Sequence, residues 1–121
     1  MSVSHGLTNE TVAQIALVLG RFSAVEKAIL FGSRAKGVHH RGSDIDLALV
    51  GDTLHWRTLG RIEDALDDLL LPYRFSLVIY GKKLDPAVAA HIERVGVIFY
   101  EKELVPAQPS NEPGRDRTRA R

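Results

Sequence analysis

Apolar side chains recur at Val12, Ile15, Ala16, Leu19 and Phe22, the three- and four-residue spacing of a helix with one buried face. Thr8 stands where an N-cap belongs, and Gly20 lies near the end of the pattern. The run VEKAILF, 25–31, changes period and predicts a strand that becomes fully apolar towards its C-terminal end. Gly32-Ser33 then opens a turn or a helix start, followed by a flexible polar loop to Ser43, and DIDLALV, 44–50, predicts a second strand. The longest helical pattern is 54–71, with Leu59, Ile62, Leu66, Leu69 and Leu70 in one stripe. Its acids Glu63, Asp64, Asp67 and Asp68 fall on the solvent side, and Pro72 is expected to stop it. YRFSLVIY, 73–80, predicts a third strand, Asp85-Pro86 a helix start and Gly96 its end, and VGVIFY a closing extended segment.

These elements predict an α/β domain with a small sheet packed against helices. The first two strands are joined by too few residues for a helical crossover, so their pairing should be antiparallel and the sheet mixed. The domain is expected to occupy residues 1–105. From Pro106 the chain carries three prolines, polar residues and arginines, and 106–121 reads as a disordered tail.

Composition sharpens this in a few places. The chain has 121 residues, enough for one domain that buries about two-thirds of its unfolded surface. There are 16 Lys and Arg against 15 Asp and Glu; four of the arginines and one of the acids lie in the last nine residues, which leaves residues 1–112 at a net −2. A faintly acidic body argues against general nucleic-acid binding. With no cysteine, disulfides and thiolate metal sites are excluded. No apolar stretch approaches the ~18 residues of a membrane span. The first ten residues lack the pattern of a signal peptide, so a cytoplasmic location is expected.

The chemistry concentrates in FGSRAKGVHHRGSDIDLALV, 31–50. On a strand, residues two apart share a face, so Asp44 and Asp46 project together while Ile45 and Leu47 face a core. Two adjacent carboxylates raise each other's pKa unless a cation neutralises them, and oxygen ligands suit Mg²⁺ (or Mn²⁺). Gly32 lets backbone approach an anion, and amides and a hydroxyl at a helix start can hold phosphate oxygens. A nucleotide with a divalent cation on its phosphates fits both halves. The P-loop fits worse, because Val38-His39 follow Gly37 where Lys-Ser/Thr is needed, and G-x-G-x-x-G is absent.

Gly32-Ser33, ten intervening residues and Asp44-Ile45-Asp46-Leu47 resemble the signature of the polymerase-β-like nucleotidyltransferase superfamily. In so short a chain, GSRAKG…SDIDLAL and LPYRFSLVIY…HIERVGVIFYEKE are similar to the minimal nucleotidyltransferases, the MNT antitoxin group. The resemblance implies the polymerase-β-like fold and a two-metal nucleotidyl transfer. Asp44 and Asp46 would hold Mg²⁺, and Gly32, Ser33 and Ser43 would border the triphosphate of ATP or another NTP. Arg34 and Lys36 would be either phosphate neighbours or surface residues of the turn. It further implies a helical HEPN-type toxin partner, modified with AMP on a hydroxyl, with this chain as the antitoxin.

One position departs from the pattern. The superfamily's third carboxylate, on the next strand, falls on Ser76, because Phe75, Leu77 and Ile79 read as the core face and Arg74, Ser76, Val78 and Tyr80 as the other. Serine is a weak ligand and a poor base at neutral pH. It marks a natural loss, a deliberate substitution, or an acid supplied elsewhere; Asp85 and Asp67-Asp68 read as a helix cap and a solvent face. Three functions compete: an AMP-transferring antitoxin, an NTP- and partner-binding module without turnover, and a small-molecule nucleotidyltransferase whose acceptor pocket a homo-oligomer could build. His39-His40 read as solvated loop residues, His91 as a packing or surface residue, and Trp56 as a core or interface anchor.

Overall fold

A computed structural model of the chain describes residues 6–37 and 43–102. The tail and residues 38–42 of the polar loop expected from the sequence lie outside those residues, His39 and His40 among them, while 34–36 of that loop belong to a helical turn. The elements follow one another as α1 (Asn9–Gly20), β1 (Lys27–Phe31), α2 (Gly32–Lys36), β2 (Ile45–Val50), α3 (Trp56–Asp67), β3 (Phe75–Ile79), α4 (Pro86–Val95) and β4 (Val97–Glu101). The four strands form one sheet in the order β3-β2-β1-β4. β1 pairs antiparallel with β2 and with β4, and β2 pairs parallel with β3. The sheet is therefore mixed, as the loop lengths predict.

Two helix starts match the signals in the sequence. Thr8 accepts from the amide of Thr11 at 3.1 Å at the head of α1. The Asp85 carboxylate accepts from the amide of Ala87 at 2.8 Å, with Pro86 in the first position of α4. His55 caps α3 through Nδ1, which the sequence did not advertise.

The sheet has a core on each side. Ile15, Val18 and Leu19 of α1 and Ile62 and Leu66 of α3 pack against Ala28, Leu30, Ile45, Leu47 and Leu49, all within 1% of full burial. On the other side Ile92 of α4 packs with Phe31 and Ala48, flanked by Ile29, Val78, Leu84 and Val88. The second layer is thinner, because α4 lies against β1 and α2 and leaves part of that face of β2 and β3 uncovered.

One helical expectation fails. α3 stops at Asp67, not at Pro72, and Leu70 leaves the apolar stripe: it sits at φ 57 with 88% of its surface exposed. Leu69 and Leu71 still pack on the larger core. The chain reverses direction between them so that β3 can run parallel to β2, and the reversal turns Leu70 outward.

Candidate active site

The site is assembled at the end of the sheet where β1 finishes and β2 begins. Phe31, the last residue of β1, is in register with Asp46, and Asp46 is in register with Ser76 on β3. Strands paired in register present neighbours on the same face. Asp46 and Ser76 therefore lie side by side, with Asp44 immediately before β2 and near enough for its charge to act on Asp46. Ile45 and Leu47 between them are fully buried in the opposite core. Ser76 and Asp44 are exposed and Asp46 is half-buried.

Gly32 begins α2 at φ +76, a backbone region costly for any residue with a side chain. A β-carbon there would collide with Oδ2 of Asp46 and come within 3.1 Å of its Cγ. The glycine turn and the carboxylate are thus packed backbone against side chain. Burial is the main cause that raises the Asp46 carboxyl above its ordinary 3.8; the charge of Asp44 adds to it, and His91 pulls the other way. Crowded, partly desolvated carboxylates of this kind favour a bound cation, so the donor set fits a hard divalent ion held by Asp44 and Asp46.

The structure separates the other expected residues. Ser33 is half-buried on the single turn of α2, and Lys36 is exposed at its end, where Gly37 closes the turn in the left-handed conformation. Ser43 is buried, and its carbonyl accepts from Nε of Arg34 at 3.1 Å. Arg34 corrects the surface reading. It is 1% exposed and its guanidinium lies 4.9 Å over the Tyr73 ring. Through the Ser43 carbonyl it ties α2 to the start of β2, across the segment between them. Asp67 and Asp68 are exposed and Asp85 is engaged as a cap. Among the described residues no cluster of three His, Cys, Asp or Glu gathers to complete a metal site.

His91 belongs to the site's surroundings although the sequence reading set it aside. It is half-buried on α4, its ring edge-on to Phe31 with centroids 6.3 Å apart, and its charge acts on Asp46. The stripe Leu84, Val88, His91, Ile92 and Val95 carried the signal, because that spacing puts the histidine on the inward face of the helix.

A mixed four-stranded sheet with two aspartates at the head of its second strand, against a Gly-Ser turn, is the arrangement of a minimal nucleotidyltransferase. Residues 13–104 match the Polymerase beta, Nucleotidyltransferase family, and the chain belongs to that family of nucleotidyl-transferring enzymes. It is 27% identical over 105 residues to the probable protein adenylyltransferase MntA of Haemophilus influenzae, covering 86% of this chain and 91% of that protein. In fold it is similar to a toxin-antitoxin crystal structure with AMP-PNP, at TM-score 0.63 and 23% identity over 76% of this chain and 74% of that one. The toxin-antitoxin MntA-HepT structure gives a TM-score of 0.59 at 18% identity, over 78% and 74% of the two chains.

Proposed function

We propose that this chain transfers AMP from ATP to a hydroxyl of a helical partner protein, as the antitoxin of a toxin-antitoxin pair. One observation carries the reading: Asp46 abuts the Gly32 turn, and the charge of Asp44, just before β2, acts on it. Likeness in sequence to a probable protein adenylyltransferase and in fold to toxin-antitoxin structures supports the substrate and the partner.

Asp44 and Asp46 would hold Mg²⁺ or Mn²⁺, which supplies charge neutralisation on the α-phosphate and on the departing pyrophosphate. Gly32 and Ser33 offer backbone amides and a hydroxyl to the triphosphate, with Lys36 at the exposed end of the turn. Arg34 keeps that turn in place by holding the Ser43 carbonyl. The acceptor oxygen attacks the α-phosphorus in line, the bond to pyrophosphate breaks, and the hydroxyl proton must leave. Ser76, beside Asp46, is a poor acceptor for that proton. Incubation with radiolabelled ATP, Mg²⁺ and the helical protein encoded next to this chain should label that protein. Ser76→Asp should raise the rate at least about tenfold. No labelled partner even with Ser76→Asp would refute the reading.

A second reading rests on that same serine: a module that binds ATP and its partner without turnover. Calorimetry would then register ATP·Mg²⁺ binding while pyrophosphate release stays at background.

A further inference from the structure

The charges along α3 run against the dipole of the helix. Arg57 and Arg61 occupy its first half; Glu63, Asp64 and Asp67, followed by Asp68 at its C-cap, occupy its end, and all six are exposed. Helix N-termini favour acids and C-termini favour bases, so this order costs stability in the isolated chain. The two ends of the helix also differ in what surrounds them.

At its start, α3 borders a groove of about 660 Å³ beyond the C-terminal ends of the parallel strands β2 and β3. This is the opposite end of the sheet from Asp44 and Asp46. Leu54, Trp56, Ile79 and Leu84 give the groove an apolar floor and rim, and Lys82 and Lys83 give it charge. Neither lysine makes a hydrogen bond or ion pair among the described residues. Asp52 is the one acid in the lining. Trp56, the chain's single tryptophan, is 72% exposed, with the Arg57 guanidinium 5.3 Å from its ring. At the far end of α3, the acids lead directly to Leu70, 88% exposed in a backbone conformation that disfavours leucine. A cationic groove with an uncovered tryptophan and an acidic helix end with an uncovered leucine are complementary. A rigid helix about 18 Å long separates them, so a single copy cannot join them.

We propose that a second copy of this chain docks head to tail. Leu70 of one copy covers Trp56 of the next, with Asp67 and Asp68 beside Lys82 and Lys83. Two copies with α3 antiparallel close both contacts reciprocally, and copies in the same direction propagate them into a ring or a short chain. Its charges explain an α3 sequence that opposes its own dipole, and it leaves the carboxylate site uninvolved in the groove.

Sedimentation velocity on the full chain tests this across a concentration series at low and high salt. The average mass should climb above 13.4 kDa with concentration and fall back with salt, and Trp56 emission should shift to the blue as copies associate. Lys82→Glu with Lys83→Glu, and separately Asp67→Lys with Asp68→Lys, should each weaken association at least about tenfold. An equimolar mixture of these two variants should associate again. Leu70→Ser, which leaves every charge in place, should also lose association. Circular dichroism melts confirm that each variant is folded. A monomer at all concentrations overturns the proposal, as does association indifferent to these substitutions. Quenching of Trp56 by an oligonucleotide while the chain stays monomeric would give the groove to nucleic acid instead.

Discussion

Asp46 and Gly32 are the two residues whose environments constrain each other most. Gly32→Ala should cost about 1–2 kcal/mol in chemical denaturation, because alanine is strained at φ +76. Its β-carbon would also displace the Asp46 carboxylate, so nucleotide binding should fall more than stability does. The raised pKa of Asp46 gives a second expectation. The folded chain binds this proton more tightly than the unfolded chain, whose value is near 3.8. That contribution is fully present below the unfolded value and is lost as pH rises through the folded one. In the presence of EDTA the Tm contribution from this site should therefore decline from about pH 4 upward. Asp46→Asn should remove the decline and melt higher than the parent at neutral pH, while abolishing transfer. At this scale the sequence was legible for the nearness of Asp44 and Asp46 and for the need for glycine at 32, which follow from a short spacing and a missing β-carbon. It was not legible for Arg34, because burial of an arginine depends on the Ser43 carbonyl and the Tyr73 ring, and neither is a local feature.

At the level of elements, α4 decides how the site is walled. Its head is set by the Asp85 cap, and its body is pinned where the Tyr80 hydroxyl donates to Glu93 at 2.6 Å. Asp85→Ala should cost about 1 kcal/mol by the loss of that cap, read as a shift in the urea midpoint. The elements themselves were mostly written in local pattern: caps at Thr8 and Asp85, a two-residue period in β2, and a proline in the first turn of α4. The end of α3 was not. Leu66, Leu69 and Leu70 continue a helical stripe on paper, but the parallel pairing of β2 and β3 requires the chain to turn back after Asp67. A pairing between strands far apart in sequence overrode a local preference.

Across the whole molecule, the sheet separates a thick core from a thin one, and the site lies on the thin side. Leu47→Ala, in the thick core with α1 and α3, should cost about 2–5 kcal/mol and leave ATP affinity unchanged where the variant is folded. Ala48→Leu, one residue away but facing α4, should cost about 1–3 kcal/mol by overpacking. It should also weaken ATP binding, because it pushes α4 away from Phe31 and so disturbs the residue in register with Asp46. Calorimetric titration of both variants at one temperature below their melts distinguishes the two effects.

The order of helices and strands, the antiparallel hairpin around the glycine turn, and the two acids at the head of the second strand were determined by the chain's own pattern, because each depends on the sequence over a few residues. The tertiary structure alone decided that His91 packs on Phe31 beside the site, that Arg34 is interior and that Leu70 is exposed. Those outcomes depend on strand register and on helix packing across the sheet, where the groups that meet are separated by tens of residues and no local signal encodes the meeting.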